Sequence, residues 1–219
     1  MNKVNFRVED CVHTIAFNKE MTALHYISKY RLKKIASESS ADYWSINEWD
    51  AETAITDIAI DKHSSNVICC EPRKKLISGG RYEHVIEFMT PQGEGLPVGY
   101  DPIEFTLSYK KPLTKGVNYS VFKPLLFLDL HLIQFDPIRL FNACDHLRYR
   151  VVDHDELEII SSLPPTNSEP NGACVFYKRG LEPDETFSLS AILCQKKLTS
   201  KLATKTAKII CRILLAYIT

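Results

Sequence analysis

The sequence predicts a mainly β (α+β) protein: a jelly-roll-like antiparallel sandwich or barrel flanked by an N-terminal and a C-terminal helix. Three observations carry that expectation. The middle of the 219-residue chain is a succession of short runs rich in β-branched and aromatic residues, each followed by turn chemistry. Two segments, one after Asn18 and one at the C-terminus, space their apolar residues as helices do. An apolar fraction of 45% with 25% charged residues is that of an ordinary globular chain, which excludes disorder and a disulfide scaffold. The length suits one domain with a genuine core. Its expected parts are an N-terminal helical and acidic segment (1–53), a β core (54–194) and a basic amphipathic C-terminal helix (195–219).

At the N-terminus, Met1–Arg7 carries charges where a signal peptide needs an apolar run. No stretch approaches the ~18 apolar residues of a membrane span. Seven cysteines, an odd number, fit free thiols in a reducing compartment, so the expected location is cytosolic and not secreted. Asn18 can cap a helix over Asn18–Ala36, with Leu24, Ile27, Leu32 and Ile35 near one face. Strands are expected at Ala54–Ile60, Asn66–Cys70, Tyr82–Met89, Ile103–Tyr109 and Ser120–Phe135. Further strands follow at Leu147–Val152, Leu157–Ser161, Ala173–Tyr177 and Thr186–Cys194. A short helix around Pro137–Cys144 interrupts them. Pro91–Pro102 and Ser161–Gly172, both rich in breakers, read as long surface loops.

Basic and acidic residues are equal in number, 27 each, so no global charge points to nucleic acid. Their placement is uneven. Between Glu38 and Asp61 lie seven acids and no base, whereas after Glu185 there are five lysines and Arg212 and no acid. On a helix at ~100° per residue, Lys197, Lys201, Lys205, Lys208 and Arg212 share one arc beside Leu198, Leu202, Ile209, Ile210, Ile213, Leu214 and Tyr217. Such a helix can meet an anionic membrane, carry phosphates, or pack on its own core with its lysines in water.

Catalytic signatures are absent: no G-x-x-x-x-G-K-[ST], no G-x-S-x-G, no H-E-x-x-H and no [DE]-x-K triplet. No metal-ligand spacing or cofactor motif stands out, so no catalytic residue, metal or cofactor is expected. The informative stretch is Lys110–Phe135. A basic turn, Lys110-Lys111-Pro112-Leu113-Thr114-Lys115-Gly116-Val117-Asn118, precedes an apolar strand. With a period of two, Leu126, Leu128, Leu130 and Leu132 form one face, and Asp129 and His131 project from the other. A carboxylate there needs a partner, either His131 or a basic side chain on a neighbouring strand. A polar pair pinning strand register and a general base are the two readings of Asp129 and His131.

The run Lys111-Pro112-Leu113-Thr114-Lys115-Gly116-Val117-Asn118, followed by the apolar strand with Asp129, resembles the thirty-kilodalton superfamily of plant-virus movement proteins. Asn171–Tyr177 looks like that family's Gly-Pro-apolar-aromatic strand, and Phe187-Ser188-Leu189-Ser190 like its Ser-Leu strand. His131 stands where the family commonly has arginine, and Ala173 where it has proline. The resemblance covers roughly Ile103–Cys194. It implies a non-enzymatic jelly roll that binds single-stranded RNA or viral nucleoprotein without sequence preference. It also implies association with host membranes and cell-to-cell transport through plasmodesmata.

Sequence-blind binding needs cations along a groove and aromatics for stacking. Lys110, Lys111, Lys115, Tyr109 and Tyr119 supply such a cluster, and the tail arc supplies a second. Gly116, Asn118, Asp129 and His131 serve the fold in this reading. Expected settings are the host cytoplasm, cell periphery and plasmodesmata. Peripheral membrane contact through 195–219 and a homo-oligomer are compatible with it, and host protein partners are not specified. Two alternatives stand beside it: a viral matrix or accessory protein docking on membranes, and a metal-dependent nuclease or hydrolase using Asp129 and His131.

Overall fold

The computed structural model describes residues 5–36, 42–48, 55–62, 64–76, 82–125, 128–135, 138–139, 142–152, 154–165, 167–168, 173–182 and 185–197. The first strands are β1 (Phe6–Phe17), β2 (Ala23–Lys34), β3 (Asp42–Glu48), β4 (Thr56–Lys62), β5 (Ile68–Cys69) and β6 (Arg73–Leu76). Next come β7 (Tyr82–Met89), β8 (Ile103–Pro112), β9 (Tyr119–Leu125), β10 (Leu128–Gln134), β11 (Ile138–Arg139) and β12 (Cys144–Val152). Last are β13 (Leu157–Leu163), β14 (Asn167–Ser168), β15 (Ala173–Leu181), β16 (Thr186–Phe187) and β17 (Ser190–Gln195).

A seven-stranded sheet, ordered β14-β15-β12-β1-β2-β8-β4, dominates. Its strands alternate cleanly. On β2, Leu24, Tyr26, Ser28, Leu32 and Lys34 are buried, while Lys29, Arg31 and Lys33 face water. On β8, Ile103, Phe105, Leu107, Tyr109 and Lys111 are buried in the same way. On β1 the phase changes midway: Phe6 and Val8 are buried, then Cys11, His13 and Ile15. A bulge between Val8 and Asp10 makes that switch, putting both halves of the strand on one core.

The expected N-terminal helix is corrected, since the named elements of the described residues are strands. The segment read as an N-terminal helix is β2, the second arm of a hairpin with β1. Asn18 caps no helix. Its Oδ1 accepts from the amides of Thr22 and Ala23, both at 2.8 Å, and Met21 takes a positive φ of 55° to close the turn. Leu24, Ile27, Leu32 and Ile35 fit a helical spacing by coincidence. The burial follows the even positions instead. The short helix expected around Pro137–Cys144 gives way to β11, paired with β16, and to the first residue of β12. At the other end, β17 runs to Gln195, Lys196 and Lys197 are helical, and the rest of the expected tail helix, 198–219, lies outside the described residues. The expectation of purely antiparallel sheets is corrected too, because β1 pairs β12 in parallel, from Val8 opposite Cys144 to Ile15 opposite Val151.

Three smaller sheets complete the fold: β13-β17-β10-β9, β3-β7-β5 with β6 also on β7, and β11-β16. One core joins them to the inner face of the large sheet. Phe88 of β7 meets Phe6 and Phe105 at 5.8 and 5.3 Å between centroids, and Trp44 packs on Tyr30. Phe135, just past β10, meets Phe17. Phe187 of β16 lies against Tyr149 and stacks on Phe176. Fully buried side chains such as Phe105, Ile15 and Leu107 each contribute roughly 1.5–3 kcal/mol of transfer free energy.

Across four adjacent strands runs a row of rings: Tyr149, His13, Tyr26 and Tyr109. His13 is 4% exposed, with Nδ1 2.6 Å from the Ser28 hydroxyl, and burial drives its pKa down to about 3. The imidazole is therefore neutral, and the row stiffens the sheet from beneath.

Candidate nucleic-acid interface

The basic turn predicted from the sequence is a locked loop between β8 and β9. The amides of Val117, Asn118 and Tyr119 point to the Thr114 carbonyl. Asn118 ties the ends together: its Oδ1 accepts from the Thr114 amide at 2.7 Å and its Nδ2 donates to the Pro112 carbonyl at 3.2 Å. The Asn118 carbonyl in turn accepts from the Gln134 amide. Gly116 sits at φ +83°, the left-handed region open to glycine at no steric cost. The Pro-Leu-Thr-Lys-Gly-Val-Asn run thus specifies a turn.

Its ligand-facing inventory is smaller than the sequence reading expected. Lys115 and Val117 are exposed at the tip. Lys111 is buried at 4% exposure, and Tyr109 is buried and stacked on Tyr26, 4.9 Å between centroids and 10° between planes. Tyr119 is half-buried and stacks on His131, whose Nδ1 lies 2.7 Å from the Tyr119 hydroxyl. Lys110 is exposed and pairs with Asp57 at 2.9 Å.

Asp129 and His131 have separate partners. The register of β10 against β9 shifts between Leu128 and Leu130, which places Asp129 at an irregularity, where it pairs with Lys123 of β9 at 3.6 Å. Burial lowers the His131 pKa, opposed by the Asp129 charge and reinforced by nearby His154. Burial and the same carboxylate raise the pKa of Tyr119. From the tail arc, Lys197 is exposed, whereas Lys201, Lys205, Lys208 and Arg212 lie outside the described residues. The loop cations and the tail arc are not brought together by the described chain.

What the structure does assemble is the outward face of the large sheet. Val12 of β1 is opposite Arg148 on one side and Lys29 on the other, and Arg148 is opposite Tyr177 of β15. The next row reads Arg150, Thr14, Ile27, Ser108. Beyond it, Ala16, His25 and Lys110 lie side by side. Arg148 and Arg150 of β12 thus stand across β1 from Lys29, Ile27 and His25 of β2, about 9.5 Å apart at two strand spacings. Between them lies a floor of small or flat side chains, Val12, Thr14 and Ala16. Within a strand, residues two apart stand about 6.6 Å from one another.

The charge is graded along the groove. At one end Asp10 closes the floor, Arg31 pairs with Glu9 at 3.0 Å and with Glu104 at 2.7 Å, and Arg7 pairs with Asp145. Those pairs lower the Asp145 pKa and raise those of Arg7 and Arg31. In the middle, Lys29 and Arg148 have no ion pair among the described residues. The sequence reading missed these positions because it took β2 for a helix. The signal was present as cations every second residue, Lys29-x-Arg31-x-Lys33 and His146-x-Arg148-x-Arg150, which on strands means one face.

No family model matches the chain, and no curated protein matches it. Among solved structures it is similar to native leukotriene A4 hydrolase from Saccharomyces cerevisiae at 10% identity and a TM-score of 0.48, covering 86% of this chain and 29% of that one. A structure of the yeast enzyme in complex with bestatin gives 11% identity and 0.48, covering 85% and 28%. The chain thus spans less than a third of the length of these structures.

Proposed function

We propose that this chain is a viral cell-to-cell movement protein that binds single-stranded RNA or nucleoprotein without sequence preference on the outward face of its large sheet. The observation that carries the reading is the row Tyr177, Arg148, Val12, Lys29, in which two exposed cations without ion pairs among the described residues flank a shallow apolar floor. Cations with nothing tall between them suit a flexible polyanion lying along the strands. Cations that engage phosphates and π surface that stacks on any base bind without sequence preference. The resemblance of the Lys111–Asn118 turn and the Asp129 strand to the movement-protein superfamily supports the transport role. Work at the host cytoplasm, cell periphery and plasmodesmata follows from that role, and no reaction is catalysed in it.

The test is filter binding of single-stranded RNA at two salt concentrations. The expected result is micromolar or tighter binding, indifferent to sequence, that weakens steeply with salt. Absence of binding at low salt overturns the reading.

A further inference from the structure

Tyr177 is the most solvent-exposed aromatic side chain of the described residues, at 52%, and it does not stand alone. The Arg148 guanidinium lies over its ring, 5.2 Å from the centroid, across the β12–β15 ladder. Two residues along β15, Arg179 is exposed on the same face, opposite His146. The backbone at this point is anchored from below, because Phe176 turns inward and stacks on Phe187 with centroids 4.3 Å apart. The edge strand β14 pairs β15 only at Asn167 opposite Val175 and Ser168 opposite Cys174, and stops short of Tyr177.

A half-exposed ring, anchored through Phe176 and flanked by a guanidinium, offers π surface on which a base can stack. Arg148 beside it can hold a phosphate. We propose that Tyr177, with Arg148, forms a subsite for one unpaired nucleobase, stacked on the tyrosine ring while Arg148 engages the adjoining backbone. The inference rests on the nucleic-acid reading above and deepens it by naming the side chains that take a base. The ligand is a strand whose bases are free to splay out, and a base-paired duplex or a polyanion without bases lacks the group the ring accepts.

Three probes separate the possibilities in fluorescence anisotropy: a labelled single-stranded RNA oligomer, its fully paired duplex, and inorganic polyphosphate as competitor. The wild type is expected to prefer the single strand over the duplex. Tyr177→Ala should weaken single-strand binding roughly tenfold and shift the polyphosphate midpoint less than about twofold, because stacking needs a base. Tyr177→Trp, with a larger π face, should tighten the single strand. An exposed site should keep both variants folded, as circular dichroism is to check. If Tyr177→Ala leaves single-strand affinity unchanged, or weakens RNA and polyphosphate equally, the subsite is wrong while the polyanion-binding face survives. If the wild type binds no single-stranded RNA, the underlying reading falls first.

Discussion

Lys29 and Arg148 stand on opposite sides of Val12, one strand away in each direction, and neither forms an ion pair among the described residues. The residues directly beside them in that row, Val12, Tyr177 and Thr106, carry no carboxylate, and Asp61 enters it only one strand further out. Lys29→Glu combined with Arg148→Glu should weaken single-stranded RNA binding and reduce the salt slope by about 1.4, at about 0.7 for each phosphate no longer neutralised. Anisotropy titrations between low and physiological salt read both quantities. An unchanged slope removes this face as the binding surface.

Lys111 invites mutation from its motif but is a poor probe of binding. At 4% exposure it sits in the core beneath β8. Lys111→Glu should cost more than about 2 kcal/mol through a buried, uncompensated charge. Lys115→Glu, at the exposed tip of the same turn, should leave stability within about 0.5 kcal/mol. Urea unfolding of the two variants distinguishes core from surface within five residues of sequence.

His13 makes the fold acid-sensitive. Its pKa is about 3 in the folded chain against an ordinary 6.5, with burial as the cause. Its contribution is complete above about pH 6.5. Below that, the unfolded chain takes up a proton that the fold refuses, and stability falls by about 1.4 kcal/mol per pH unit until about pH 3. From pH 6.5 to 5 the loss is about 2 kcal/mol. His13→Phe keeps a ring between Tyr26 and Tyr149. That variant should lose this part of the pH dependence, as urea midpoints at several pH values will show.

Asn118 matters to the turn rather than to a ligand. Asn118→Ala removes the bonds to the Thr114 amide and the Pro112 carbonyl and should cost about 1–2 kcal/mol. Asp129→Asn should cost under about 1 kcal/mol, since its partner Lys123 is 71% exposed and the pair is long at 3.6 Å. Thermal unfolding should rank the two variants in that order. The reverse order would mean that Asp129, not Asn118, secures this part of the fold.

Legibility in the sequence tracked how faithfully each strand kept its alternation. Tyr82–Met89 was legible to the residue because its inner positions, His84, Ile86 and Phe88, never change phase. β1 went unread because its bulge moves the apolar set from even to odd positions, so neither period fits the whole strand. β2 was mistaken for a helix because Tyr26, Ser28 and Lys34, three of its inward side chains, are polar, leaving Leu24, Ile27, Leu32 and Ile35 to suggest the wrong spacing. That error hid the candidate site as well. Cations at Lys29, Arg31 and Lys33 scatter around a helix but line up on a strand, and their counterparts on β12 are more than a hundred residues away. The turn at Lys111–Asn118 was legible as a turn, because Pro112, Gly116 and Asn118 have local backbone roles. Which of its lysines faces water was not, since only the pairing of β8 with β2 decides that.

The parallel pairing of β1 with β12 has a consequence for the newborn chain. The hairpin of β1 and β2 can form as soon as it leaves the ribosome. The other edge of β1 must wait for Cys144–Val152 to be translated. Throughout that interval a twelve-residue strand offers an unsatisfied hydrogen-bonding border to any neighbour. Products released before β12 is complete should accordingly be prone to self-association, with the centre of the final sheet as their adhesive margin.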